Sequence, residues 1–216
     1  MEYKYIVLDF GKVIAGPTTG HWDITPKFKE LISDINIDDF NELRKKYCYL
    51  LNEPMTTLEQ EYDMFFRFYY SILSELGYYS KDIINKIAYD RTYGNDKYTL
   101  YKNIHDELSK LKGKYRLIML TDNWPCVINF LKDFNLDQYF EKVYISSFYG
   151  MEKNNLAFFE YPIKDFDIKE GDALFIDDNE DNLDNGLIMG FDCLLMDREE
   201  KVEKSKHRII HNLYNL

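Results

Sequence analysis

A chain of 216 residues, 45% hydrophobic and 17% aromatic, can bury a sizeable core and fold as one domain or as a core with a smaller appendage. Its formal charge of −11 argues against a general nucleic-acid binder, which needs gathered Lys and Arg to neutralise phosphates. Cys48, Cys126 and Cys193 are scattered and lack C-x-x-C spacing, so neither a disulfide framework nor a zinc site is indicated and a reducing compartment is expected.

The N-terminus does not read as a signal peptide, because Met1-Glu2-Tyr3-Lys4 leads straight into a strand. No apolar stretch nears the roughly 20 residues that span a bilayer. The expectation is a cytoplasmic protein with no membrane partner, monomeric or homodimeric. The first strand, Tyr5-Ile6-Val7-Leu8, ends at Asp9 and opens onto the turn Phe10-Gly11-Lys12-Val13-Ile14. In an open parallel sheet, ligands gather where strands end. A carboxylate there can attack an electrophile, bind a metal, or do both; it can also be a turn aspartate satisfying backbone N–H groups.

Gly16-Pro17-Thr18-Thr19-Gly20 reads as a loop, after which the pattern is helical as far as about residue 94. Thr25-Pro26 is a cap followed by a first-turn proline, and Asp38 is the expected cap of a second helix with Phe40, Leu43 and Tyr47 at helical spacing. Thr57-Leu58-Glu59-Gln60 has the form of a capping box before an aromatic helix whose buried face is Phe65, Phe68, Ile72 and Leu76. Gly77 ends that helix, and Ser80 caps the next.

From about Asn95 helices alternate with short apolar runs. A helix with Leu100, Ile104, Leu108 and Leu111 precedes the strand at Arg116–Leu120; further strands are expected at Lys142–Ser146, Ala173–Ile176 and Asp192–Met196. Continuous apolar strands between helices fit a parallel sheet covered on both faces. This predicts an α/β fold: a Rossmann-like core formed by residues 1–15 and 95–216, with residues 16–94 inserted as an α-helical cap above the strand ends.

Polar residues recur at those ends: Thr121-Asp122-Asn123, Ser146-Ser147 followed by Gly150-Met151-Glu152-Lys153, and Asp177-Asp178-Asn179 with Asn182 beyond. Together with Asp9 they suit phosphoryl transfer, which needs a nucleophile, donors for nonbridging oxygens, a cation, and carboxylates for magnesium. Singly, Asp177-Asp178 also fits a helix cap, Lys153 a solvated lysine, and Thr121 a strand-end hydroxyl.

Four such motifs in this order resemble the haloacid dehalogenase-like (HAD) superfamily, in its subgroup with a helical cap after the first motif. The resemblance spans nearly the whole chain. It implies that Asp9 is the nucleophile, forming an aspartyl-phosphate, and that Thr121 and Lys153 hold the phosphoryl group, with Asp122 and Asn123 beside them in substrate binding. It implies a Mg2+ cofactor held by Asp178, Asp9, the main-chain carbonyl of Gly11, and Asp177 in the inner or outer shell. The substrate implied is a small phosphorylated metabolite, such as a sugar phosphate.

The chain departs from the family pattern at Gly11, where a second aspartate would protonate the leaving group; the absence of a general acid typically costs about 10²–10⁴-fold. Asp-x-Gly here, with the Gly-Met-x-Lys and Asp-Asp-Asn segments, is similar to the subgroup that includes bacterial glucose-1-phosphatase. Asn154 replaces a common proline. His21, with Trp22, and Asp23 lie where the chain enters the cap and are further candidates to face substrate. His105, His207 and His211 show no ligand spacing. A metal-independent 2-haloacid dehalogenase and a non-catalytic phosphate-binding relative remain alternatives.

Overall fold

The computed structural model describes residues 3–214 and 216. In chain order, β1 (Tyr5–Leu8) is followed by a short strand β2 (Ala15–Pro17), by helices α1 (Pro26–Leu31), α2 (Ile37–Tyr47), α3 (Leu58–Glu75) and α4 (Lys81–Tyr93), and by β3 (Tyr98–Leu100). Then come α5 (Ile104–Lys112), β4 (Arg116–Thr121), α6 (Cys126–Asp133), β5 (Lys142–Ile145), α7 (Ser146–Tyr149) and α8 (Leu156–Phe166). β6 (Ala173–Asp177), α9 (Glu180–Ile188), β7 (Asp192–Met196) and β8 (Arg208–Ile210) complete the chain. Among the described residues no helix is long and apolar enough to cross a membrane.

The expected α/β, Rossmann-like architecture is present as a six-stranded parallel sheet in the order β5-β4-β1-β6-β7-β8. All four β1 residues are buried, which requires cover on both faces. Side chains alternate along a strand, so Ile6 and Leu8 pack with Leu108 of α5 and Phe130 of α6, while Tyr5 and Val7 pack with Phe158 of α8 and Leu183 of α9. Leu8 pairs with Met119 on one side and Ile176 on the other. The residues just beyond β1, β4 and β6 therefore share one edge.

The helices from α1 to α4 gather a separate apolar cluster that includes Phe28, Phe40, Phe65, Phe68, Ile72, Ile84 and Ile87. Thr25 caps α1 with Pro26 in the first turn, the Thr57–Gln60 capping box is complete, and Ser80 caps α4. Two charges lie inside. Glu61 accepts from the Cys126 N–H at 2.7 Å, placing a carboxylate at the start of α6, where the helix dipole favours it. Arg91 stacks 4.4 Å from the Phe65 ring centre and 5.2 Å from that of Trp124.

Several local expectations are corrected. Asn36, not Asp38, caps α2, because its side chain accepts from the amides of Asp38 and Asp39. Gly16 and Pro17 belong to β2, which pairs antiparallel with β3, so Leu100 is a strand residue and α5 begins only at Ile104. Ser146 opens α7 rather than closing β5. Leu76 is the half-buried C-cap of α3, and β8 is an additional strand.

Candidate active site

Asp9 leaves β1 with its N–H donating to the Ile176 carbonyl at 3.0 Å, which fixes it against the end of β6. Lys153 arrives from the turn before α8, and two hydrogen bonds set its backbone: its N–H donates to Asp122 Oδ1 at 2.9 Å and its carbonyl accepts from Asn185 at 2.9 Å; its side chain is 1% exposed. The ammonium sits 2.8 Å from Asp9 Oδ1 and 2.5 Å from Asp177 Oδ2. Asp177 is saturated, because Oδ1 also accepts from the Asn179 N–H at 2.9 Å and Asn182 donates across both oxygens. Asp178 is less committed: among the described residues its side chain pairs through Oδ2 with the half-exposed Lys12 at 3.0 Å. Carboxylate oxygens of Asp9, Asp177 and Asp178 lie within 4.8 Å of one another.

Burial dominates the charge states. It pushes the Asp9 carboxyl up to about 7, against the opposing pull of Lys153 and with help from Asp177 and Asp178. Burial disfavours the Lys153 ammonium, yet Asp177 and Asp9 outweigh it and hold its pKa above the ordinary lysine value. Asp178 is raised by burial and Asp177, with Lys12 opposing. Asp122 is likewise raised by burial. A hard-oxygen set of this kind fits magnesium, which accepts two or three protein ligands and keeps waters.

These groups open onto a cavity of about 270 Å³ whose walls include Asp9, Gly11, Asp122, Asn123, Lys153, Asp177 and Asp178. Thr121 closes β4 at the same edge but is 1% exposed; at that wall the cavity is lined by Asp122 and Asn123. The opposite wall brings Trp22, Asp23 and Arg44 from the inserted segment, with Tyr98 and Trp124. Asp23 is paired with Arg44 through Oδ2, while its buried Oδ1 has no hydrogen-bond partner among the described residues. His21 is not part of this wall: its Nε2 meets Asn41 Oδ1 at 2.7 Å and its Nδ1 accepts from the Asp23 N–H at 3.2 Å, so it orients Asp23. Arg44 carried no sequence signal, being one charge among several on an amphipathic helix. Asn185 had none either, since its role depends on α9 crossing the Lys153 turn.

The glycine at position 11 has a steric counterpart. A Cβ there would meet the Trp22 ring at 3.3 and 3.4 Å and Asp9 Oδ2 at 3.5 Å. Trp22 thus occupies the space that a side chain at position 11 would need. Gly11→Asp is expected to lower stability by about 1–3 kcal/mol through overpacking, and Trp22→Leu in the same chain to recover part of that loss. Urea unfolding midpoints of the single and double variants check this, and equal midpoints for the two would refute the steric account.

The family model for haloacid dehalogenase-like hydrolases matches residues 3–186. Among solved structures, YfnB from Bacillus subtilis, named as a HAD-hydrolase and bound to magnesium, has a TM-score of 0.72 at 17% identity, covering 99% of this chain and 96% of that one. L-2-haloacid dehalogenase from Xanthobacter autotrophicus, with chloropropionic acid covalently bound, has a TM-score of 0.71 at 10% identity, covering 98% and 95%. HAD family enzyme BT-2542 from Bacteroides thetaiotaomicron, in complex with magnesium and inorganic phosphate, has a TM-score of 0.66 at 19% identity, covering 93% and 98%. At these identities the likeness is one of fold. A 65-residue stretch is 35% identical to drimenol cyclase drtB from Aspergillus calidoustus, a match covering 30% of this chain and 12% of that protein's length. With the family match running from before β1 through most of α9, the chain belongs to the haloacid dehalogenase-like hydrolases.

Proposed function

We propose that this hydrolase is a magnesium-dependent phosphomonoesterase acting on a small phosphorylated metabolite through an aspartyl-phosphate on Asp9. The observation that carries the reading is the charge imbalance at the strand ends: Asp9 and Asp177 share one fully buried cation, Lys153, and the third close carboxylate, Asp178, meets the half-exposed Lys12, so three carboxylates face two cations. That excess of negative charge suits a divalent ion more than a metal-free ester mechanism.

Asp9 and Asp178 would hold the ion directly with the Gly11 carbonyl, while Asp177, its oxygens already engaged, positions Lys153 and acts in the outer shell. When bound, magnesium would neutralise charge on the phosphoryl oxygens and orient them. An Asp9 carboxylate oxygen attacks phosphorus, the bond to the ester oxygen breaks, and the departing oxygen keeps the electron pair and takes a proton from solvent water. Water then attacks phosphorus, the bond to Asp9 breaks, and inorganic phosphate leaves. Lys153 pairs with the phosphoryl oxygens as charge builds, with Asp122 and Asn123 lining that side and Thr121 buried at the end of β4. Since Gly11 carries no acid, substrates with good leaving groups are favoured. We assign residues 16–94 the role of cap over this cavity, on the strength of the wall that Trp22, Asp23 and Arg44 supply.

The test is phosphate release from para-nitrophenyl phosphate and a panel of metabolite phosphates, with and without magnesium. Turnover that EDTA abolishes is expected; turnover untouched by EDTA would sink the metal-dependent mechanism. Gly11 also favours a second reading, a metal-independent dehalogenase in which Asp9 attacks carbon. Halide release from 2-chloropropionate without added metal would install that reading instead. Phosphate binding with no turnover on either panel would mark a non-catalytic relative.

A further inference from the structure

Lys12 occupies a backbone position that ordinary side chains avoid. Its φ is +51°, in the left-handed region where residues bearing a Cβ pay roughly 1–2 kcal/mol. The turn is closed around it by two backbone hydrogen bonds, Lys12 N–H to the Ala15 carbonyl at 2.8 Å and Ile14 N–H to the Phe10 carbonyl at 2.9 Å. Glycine or asparagine would fit such a turn with less strain. The lysine that stands there extends over the acidic group and places its ammonium 3.0 Å from Asp178 Oδ2.

The charges give that placement a meaning. Asp9, Asp177 and Asp178 present three negative charges when ionised; Lys153, fixed between Asp9 and Asp177, supplies one positive charge and Lys12 a second. Lys153 is 1% exposed and cannot leave without stranding two buried carboxylates. Lys12 is 49% exposed on a flexible stem and can leave freely. Its target, Asp178, is also the carboxylate least committed to other partners. The group thus has one permanent cation and one exchangeable cation.

We propose that Lys12 is a built-in competitor for the divalent cation at Asp178: its ammonium neutralises that carboxylate while the metal is absent and must be displaced for the metal to bind. The inference rests on the metal-dependent reading above and adds a residue that sets metal affinity. Once displaced, the Lys12 ammonium leaves the acidic group with three negative charges balanced by magnesium and Lys153, and remains close by as an additional positive charge for an incoming phosphate dianion.

The experiment is calorimetric titration of Mg2+ alone into wild type, Lys12→Met and Lys12→Arg, at low and at high salt. Methionine and arginine both carry a Cβ and bear the same left-handed strain, so a difference between them isolates charge. Lys12→Met should bind Mg2+ about fivefold more tightly at low salt, the scale of a partly exposed ion pair. Lys12→Arg should stay near wild type, and the gap should narrow at high salt as the pair is screened. The rise in melting temperature on adding Mg2+ should likewise be greatest for Lys12→Met. Equal Mg2+ affinity for wild type and Lys12→Met would overturn the role given to Lys12 and leave the metal-dependent reading standing. No Mg2+ binding by any of the three proteins would overturn both.

Discussion

Asp9→Asn is expected to abolish phosphate release, by about 10⁴-fold or more, while making the metal-free protein more stable at pH 8. The first effect follows from the loss of the only carboxylate proposed to bond covalently to phosphorus. The second follows from its burial. Asp9 in the folded chain has its pKa raised from 3.8 to about 7, so folding favours the protonated carboxyl. The resulting penalty is absent below about pH 4, grows as pH rises, and is complete above about 7. A neutral amide of the same shape removes it, and Lys153 keeps Asp177 as its partner at 2.5 Å. The melting temperature without metal should therefore rise by several degrees at pH 8, at roughly 2–4 °C for each kcal/mol in a chain of this size, and by much less at pH 5. A variant no more stable at pH 8 than at pH 5, relative to wild type, would show that Asp9 is not held against its ionisation.

This opposition between activity and stability is typical of a site whose charges are assembled for a ligand. It also explains why so much of the site was legible in the sequence. Asp9, Asp122 and Asp177 sit at the ends of apolar runs, and once those runs form a parallel sheet the three must share an edge. Lys153 lies in the loop beyond its strand end, where no periodicity fixes its direction, so the family resemblance gave it its role; its position depends on the Asp122 and Asn185 bonds across the fold. The β2–β3 ribbon escaped notice for a local reason. Three-residue strands carrying Gly16 and Pro17 have a loop's composition, and only their pairing makes them strands. The cap of α2 was misplaced because Asn36 and Asp38 both suit the position, and the geometry at Asn36 decides.

The inserted helices were recognised by their apolar stripes, which reveal what is buried but conceal charges buried with it. Glu61 and Arg91 are both 0% exposed, on faces that the aromatic pattern marks simply as interior. Arg91 lies between Phe65 of the inserted segment and Trp124 of the core, and Glu61 reaches the first turn of α6. The inserted helices are thereby joined to the core by buried polar groups as well as by apolar contact. Such joints are directional, so they fix how the inserted helices meet the strand ends in a way that a hydrophobic pattern cannot encode.

Lys153→Met should have the opposite effect on stability to Asp9→Asn, although both remove one partner of the same ion pair. Wild-type Lys153 is wedged between Asp9 and Asp177, which are 7% and 0% exposed. Deleting the ammonium leaves two carboxylates facing each other with little solvent, and breaking a buried pair from one side costs about 3–5 kcal/mol. The half-exposed Lys12 does not replace it, because its ammonium meets Asp178 from the solvent side and does not sit between Asp9 and Asp177. The loss should depend on pH in a defined direction. Lys153 is what holds the Asp9 carboxyl down to about 7, so in the variant Asp9 keeps its proton to higher pH; the stabilising pair is lost only where wild-type Asp9 is ionised, and the difference from wild type shrinks as pH falls through about 7. Urea unfolding at pH 8 and pH 5.5 measures both numbers; an equal loss at the two values would mean that packing of the lysine stem, rather than its charge, holds the site together. Added Mg2+ should restore part of the lost stability at pH 8, since a divalent ion beside Asp9 and Asp178 supplies positive charge where the ammonium used to sit.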